Sequence, residues 1–392
     1  MHIFSKNLWT LFGSRLITHA GLSLMGVFLP TFIYLEYGGS LQVVVWAFIA
    51  GFALHFLLTP LSAKLIKSVG MKKLMIIALV PFLAAALTAL AFWEYNPTLM
   101  LIIYMLAWAG YRALYWVPYH VEVAESLDSE HRGRQVSVFT NLSAVVSVIA
   151  PFIGGVLIEY FGFSWVFIAG IVLVVMAAAP LFFMEEIHEE YSFKYIESFK
   201  DLFKKEKRGL FYAYAGDGAQ TVVALVFWPI FIYLILDGNF AAVGAVSSLV
   251  VLATIVLASF AGELVDRISR TQVIIISTII YTTGWFLKSF ASTALHIFLF
   301  DAYHNAGKAV NRVAFDVGSY THLADNGHYV DEYTAFKEMA LNLGRIAMLM
   351  FGGFLALLFG IKVAFILAAF ASLTMVLVNS ALKKHDTARR QT

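Results

Sequence analysis

The sequence predicts an all-α membrane protein whose twelve transmembrane helices form two pseudo-symmetric six-helix bundles. Three observations carry that expectation. Of 392 residues, 60% are hydrophobic and only 13% charged, with 35 phenylalanines and a mean hydropathy of +0.80; a soluble chain of this size needs far more polar surface. Long apolar runs recur from one end of the chain to the other. The stretch "FLPTFIYLE" (Phe28–Glu36) also returns 199 residues later as "FWPIFIYLI" (Phe227–Ile235).

Other landmarks recur at nearly the same offset. Gly38-Gly39-Ser40 is matched by Asp237-Gly238-Asn239, and "GGVLIEYFG" (Gly154–Gly162) by "GGFLALLFG" (Gly352–Gly360), 198 residues on. A period of nearly half the chain means two copies of one unit, not a stack of small repeats. A bilayer core about 30 Å thick takes roughly 20 helical residues. Runs of that size lie at 9–36, 41–62, 73–93, 98–122, 135–160, 163–184, 209–236, 241–264, 272–291, 294–320, 334–359 and 362–381. The connections "EYGGS" (36–40), "EYNPT" (94–98), "YFGFS" (160–164) and "LDGNF" (236–240) are short enough to join only antiparallel neighbours. Helices satisfy every backbone group within one segment, and the alternating ten-residue strands of a barrel are not found. The first run has no small-residue cleavage site and reads as a retained span.

Cysteine is absent, which excludes disulfides, a thiolate metal site and a thiol nucleophile. A net charge of +2 gives no reason to expect a nucleic-acid partner. Loop charge sets the orientation. One side collects nineteen basic residues, from Lys6, Lys64 and Lys67 to Arg389 and Arg390, against Lys362 on the other. Both termini are therefore expected in the cytoplasm, with the chain in the plasma (inner) membrane. The bundles are expected at 1–184 and 209–392, superposing by a rotation about the membrane normal. Between them 185–208, "EEIHEEYSFKYIESFKDLFKKEKR", is the one long connection. Tyr195, Ile196, Phe199, Leu202 and Phe203 fall at helical spacing among lysines, as in an amphipathic helix lying on the cytoplasmic leaflet; a plain tether between bundles is the alternative.

Ionisable groups in apolar runs point to a cavity. In the tenth run Asp301, His304, Asn305, Lys308, Asn311, Arg312, Asp316 and Ser319 fall within an arc of roughly 140°, opposite Ala302, Ala306, Val310, Val313, Ala314 and Val317. The stripe is expected to bind substrate or protons; a structural ion-pair ladder is the competing reading. In the fourth run Arg112 is placed with Trp108, Tyr115, Trp116 and Tyr119, a setting that can fork a carboxylate or phosphate between aromatic rings. Arg15 and His19 in the first run, Asp217 and Gln220 in the seventh, and Asn342 and Arg345 in the eleventh complete the candidate substrate- or proton-binding set. His55 reads as a packed or hydrogen-bonded core histidine. Five interior cations (Arg15, Arg112, Lys308, Arg312, Arg345) outnumber three anions (Asp217, Asp301, Asp316), which favours a negatively charged or amphipathic substrate.

The loop motif "GELVDRISR" (Gly262–Arg270) resembles the G-x-L-x-D-R-x-G-R signature of the major facilitator superfamily, with Ser269 in place of its last glycine. The counterpart "AKLIKSVGMKK" (Ala63–Lys73) keeps Gly70, but Lys67 and Ser68 stand where the acidic and basic members belong. "EHRGRQ" (Glu130–Gln135) resembles the basic turn between that family's helices 4 and 5. "APFIGG" (Ala150–Gly155) is similar to an element of its proton-coupled antiporters, with Ala150 for the first glycine. The resemblance implies the major facilitator fold and a secondary active transporter working by alternating access. It also implies proton coupling, export by antiport, and a gate built on Gly262, Asp266, Arg267, Arg270, Arg132 and Arg134. Asp217, Asp301 and Asp316 are the expected proton carriers, with His19 and His304 assisting. A monomer without cofactor or metal, in contact with lipid, a small solute and protons, is expected. An uptake symporter or facilitator, a membrane-embedded enzyme and a transport-dead receptor are the alternatives.

Overall fold

Runs of apolar residues between polar, glycine-bearing connections fold as helices throughout. The computed structural model describes residues 5–92, 95–127, 131–188, 191, 193–265, 269–324 and 330–378, apart from the side chains of 91–92, 124–125, 132–133, 136–137, 260–265, 270, 312–324 and 330–331. The helices are α1 (Lys6–Glu36), α2 (Leu41–Val69), α3 (Met71–Leu90), α4 (Pro97–Ser126), α5 (Arg132–Phe161) and α6 (Phe163–Leu181). A short connecting helix, Tyr195–Leu202, follows. Then come α7 (Lys205–Ile235), α8 (Phe240–Val265), α9 (Arg270–Lys288), α10 (Ala294–Ala324), α11 (Val330–Phe359) and α12 (Lys362–Leu377). Among the described residues, nine are long and apolar enough to cross a membrane. The other three are α12, which is short, and α9 and α10, which carry hydroxyl, amide and charged groups. Large apolar side chains such as Trp46, Val80, Leu106, Ile279 and Phe354 face outward, as lipid contact requires.

The repeat is legible in the backbone. α1 is interrupted at Val27 and Phe28, with Pro30 opening the following segment. At the matching place α7 widens into a π-helical turn, Val223–Phe227, ahead of Pro229. Proline removes a ladder hydrogen bond, so both spans bend here. Gly39 and Gly238 both have φ of +81°, a left-handed conformation that glycine adopts without cost. Each sits against a tyrosine hydroxyl, Tyr34 and Tyr233, which a Cβ would crowd. Ser40 Oγ then accepts from Val43 N–H, and Asn239 Oδ1 from Ala242 N–H at 2.7 Å, capping the next helix in each copy.

The chain divides into two compact units, 1–193 with 239–248, and 194–238 with 249–392. In the first, α1 packs on α5 and α6, and a side chain at Gly21 would press on Gly170 and Val174 of α6. The start of α8 clusters here because Glu159 of α5 accepts the Phe240 N–H at 2.8 Å. A Cβ at Gly155 or Gly244 would also strike the opposing backbone, at Phe240 and Pro151 respectively. In the second unit α9 packs on α10 and α7 on α11, with Gly218 against the Leu341 carbonyl and Gly344 against that of Ala215.

The loop between α2 and α3, expected to lack a carboxylate, receives one from further along the chain. Residues 184–188 cross it as a strap. Glu186 Oε1 accepts the Lys72 N–H at 2.9 Å, the Met71 N–H binds the Ile187 carbonyl, Lys72 Nζ donates to the Met184 carbonyl, and His188 Nδ1–H to that of Lys67. Glu186 is thus an N-cap supplied from outside the helix, set against the amides and positive dipole end of α3. Gly70, with φ of +92°, leaves room for it, since a Cβ there would collide with the Glu186 carboxylate. Glu186→Ala should lower stability by about 1 kcal/mol. Its thermal transition should fall accordingly, while a Glu186→Gln variant, which keeps the acceptor, should lose less.

Candidate functional site

Helix α4 turns two aromatic faces to different surroundings. Tyr111, Tyr115 and Tyr119, four residues apart, stack at centroid distances of 5.4 and 5.9 Å inside a core with Leu11, Leu79, Phe82 and Val174. Tyr115 is only 1% exposed and packs in this core in this structure. The neighbouring stripe, Trp108, Arg112 and Trp116, is half-buried. The Arg112 guanidinium lies 5.0 Å from the Trp108 ring, 5.9 Å from Phe52 and 6.0 Å from Trp116. Its Nε donates to Nδ1 of His55 at 3.5 Å. His55 is fully buried and therefore belongs to this cluster.

Arg15 of α1 reaches the same indole. Its guanidinium is 4.7 Å from the Trp116 ring and 5.5 Å from Tyr119, while its Nη1 is buried with no hydrogen-bond partner. One turn on, His19 Nε2 lies 2.9 Å from Ser147 Oγ of α5. The Ser147 proton is already given to the Ser143 carbonyl at 2.9 Å, so His19 is the donor, through an Nε2–H tautomer. Two guanidiniums bracketing one indole, with an N–H unsatisfied, have the chemistry to pair with a carboxylate or phosphate attached to a flat body.

The second unit handles charge differently. Asp301 of α10 is bound by Lys288 Nζ at 2.6 Å, by Trp228 Nε1 at 3.0 Å and by Asn305 Nδ2 at 3.1 Å. The Lys288 ammonium sits 4.6 and 4.4 Å from the Trp228 and Trp285 rings and is 1% exposed. Within the described part of the polar stripe, Asp301, His304 and Asn311 therefore face α9. His304 is buried, its Nδ1 against the Tyr281 carbonyl at 3.2 Å, and a Cβ at Gly284 would meet its backbone. Asn311 donates to Ser277 and Thr278 at 3.0 and 2.9 Å. Asp301, His304 and Asn311 are interhelical fastenings in this structure, and Asp301 pairs with α9. Lys308 is half-buried; the side chains of Arg312 and Asp316 lie outside the described residues.

Asp217 of α7 is 2% exposed and accepts from Gln220 Nε2 at 2.8 Å and Thr221 Oγ1 at 3.4 Å. Arg345 of α11 donates to Asn342 Oδ1 at 2.7 Å and lies 3.9 Å from Glu338. Of the expected gate, Asp266 and Arg267 lie outside the described residues, as do the side chains of Arg132 and Arg270. Gly262 falls on α8, and Arg134 is exposed.

Sequence reasoning missed Lys288, Glu122, Glu332 and Glu338, all buried. Added to the five cations and three anions counted from the sequence, Lys288 and the three glutamates bring the tally to six of each. Positive charge instead concentrates in the first unit, where Arg15 and Arg112 share Trp116. The signal available for Lys288 was a lone lysine three residues after Trp285 at the end of an apolar run. Among the described residues no group of three or more His, Cys, Asp or Glu gathers as a metal site.

A family model described as Major Facilitator Superfamily matches residues 11–216, more than half of the chain. The chain belongs to the major facilitator superfamily. Solved structures of the fold agree. A major facilitator superfamily transporter, FucP, in the outward conformation superposes with a TM-score of 0.64 at 15% identity, covering 95% of this chain and 98% of that one. A bacterial homologue of the iron transporter ferroportin in an inward-facing state gives 0.69 at 14% identity, covering 94% and 98%. A bacterial metal transporter gives 0.62 at 14%, covering 96% and 99%. A search of curated proteins finds no significant match. This member of the superfamily is an integral membrane transporter and not an enzyme.

Proposed function

We propose that the protein moves a small organic anion with a flat or apolar body by alternating access, driven by protons and directed outward as antiport. The observation that carries this reading is the buried, unsatisfied Nη1 of Arg15 beside Arg112 and Trp116. A charged donor left without an acceptor is costly, and a carboxylate or phosphate oxygen would relieve it. The same pair of guanidiniums repels a metal cation. Arg15 and Arg112 would fork the anion, and Trp108 and Trp116 would flank its body, with His19 one turn on from Arg15 held by Ser147. Asp217 and Asp301 are the proposed proton carriers. Lys308, Arg312 and Asp316 are assigned to the same pathway on sequence grounds. The excess of basic residues in one set of loops supports a cytoplasmic position for both termini.

Purified protein should be stabilised against heat by aromatic carboxylates or organophosphates, and less by neutral sugars or divalent metal ions. Stabilisation by metal ions or sugars alone would overturn the anion reading. In proteoliposomes, accumulation should follow an imposed pH gradient and stop when the gradient is collapsed; indifference to it would overturn proton coupling. Asp266→Asn should shift labelling toward cytoplasm-open states, and unchanged labelling would remove its gating role.

A further inference from the structure

The connecting helix Tyr195–Leu202 presents two unlike sides. Ser198, Asp201 and Leu202 are buried where the helix packs on α11. On the other side Tyr195, Ile196 and Phe203 are 39%, 66% and 63% exposed. With Phe199 they share an arc of about 100° in helical projection. Exposed apolar side chains in such an arc need a partner surface.

Two features identify that surface. Membrane helix α7 begins at Lys205, two residues after Phe203, so the patch lies where the chain enters the bilayer. The flanking charge is net basic: Lys194, Lys200, Lys205 and Arg208 are exposed, against the exposed Glu206, and among the described residues no ion pair engages these four cations. The acidic Asp201 is already neutralised by Lys204 at 2.8 Å and by Lys207. Glu197 caps its own helix through the Lys194 N–H at 2.8 Å.

We propose that this patch docks on an acidic phospholipid leaflet, with Ile196 and Phe203 at the acyl boundary and Lys200 and Lys205 on headgroup phosphates. The lysine stems lie along the apolar surface and carry their ammonium groups outward. Docking fixes the connection to the membrane surface independently of which solute is carried, so its test does not depend on the transport reading.

The chain contains no cysteine, so Ile196→Cys supplies a single thiol for an environment-sensitive fluorophore, with Phe203→Cys as a second position should the first fail to fold. The labelled full-length protein is placed in nanodiscs of phosphatidylcholine alone or mixed with phosphatidylglycerol, with nitroxide lipids as quenchers. Quenching should be stronger in the acidic discs. The ratio of docked to undocked label should fall about five-fold for each lysine removed in Lys200→Gln and Lys205→Gln, and fall again with added salt. Equal quenching in both lipids would overturn the proposal, and so would a buried label that no lipid quencher reaches, which would mean that protein covers the patch.

Discussion

Lys288→Ala should destabilise the protein by roughly 3–5 kcal/mol, because it leaves a buried carboxylate without its counter-ion. Lys288 is 1% exposed, pairs with Asp301 at 2.6 Å and is walled by Trp228 and Trp285. Trp228 and Asn305 would still donate to Asp301, but neither carries the missing charge. Removing both partners together is a different experiment. A Lys288→Met, Asp301→Leu double variant takes away two desolvated charges and fills the space with apolar atoms, a change that is often neutral or stabilising. The double variant should therefore regain most of the thermal stability lost by the single one. Its transport then decides the role of the pair. A stable protein that no longer follows a pH gradient makes Asp301 a proton carrier. A stable protein that still does so makes the pair scaffolding. If Lys288→Ala melts like the parent, the ion pair contributes nothing and the assignment is wrong.

What could be read from the sequence follows from what the bilayer imposes. Each span needs a long apolar run and each short connection a glycine or cap, so helices, turns and repeat were visible down to Gly39 and Gly238. Periodicity also placed Asp301, His304, Asn311 and Lys308 together on one side of α10. It could not say what that side meets. The partners on α9 are Ser277, Thr278, Gly284 and Lys288, an unremarkable set in sequence, and in this structure they hold Asp301, His304 and Asn311 in an interhelical seam. Charge counting was incomplete for a related reason: Lys288 sits alone in its apolar run, and only the fold pairs it with Asp301, whereas Glu338 lies two turns before Arg345 on the same helix, a spacing the sequence does show. Glu186 was invisible as a cap because 114 residues separate it from Lys72. On α4 adjacency in sequence hid a difference in angle, since Tyr115 lies on a core face and Trp116 on a half-buried one.

Arg15→Ala should do the opposite of Lys288→Ala: stability nearly unchanged, transport lost. Arg15 makes no ion pair among the described residues, and its Nη1 is buried without an acceptor. Removing that unsatisfied donor relieves about 1–3 kcal/mol. Losing its contacts with Trp116 and Tyr119, at 4.7 and 5.5 Å, costs about 0.5–2 kcal/mol. The two nearly cancel, so the melting temperature should move little in either direction. For the transported anion nothing cancels. A charge-assisted hydrogen bond contributes about 1.5–3 kcal/mol, so transport at low substrate concentration should fall roughly 10- to 150-fold by the same energy. Arg15→Lys keeps the charge but not the planar fork, and should recover only part of the loss. Melting curves and initial counterflow rates on the two variants are the measurements. Normal transport by Arg15→Ala, or a loss of transport that merely tracks a loss of stability, would remove Arg15 from the binding site.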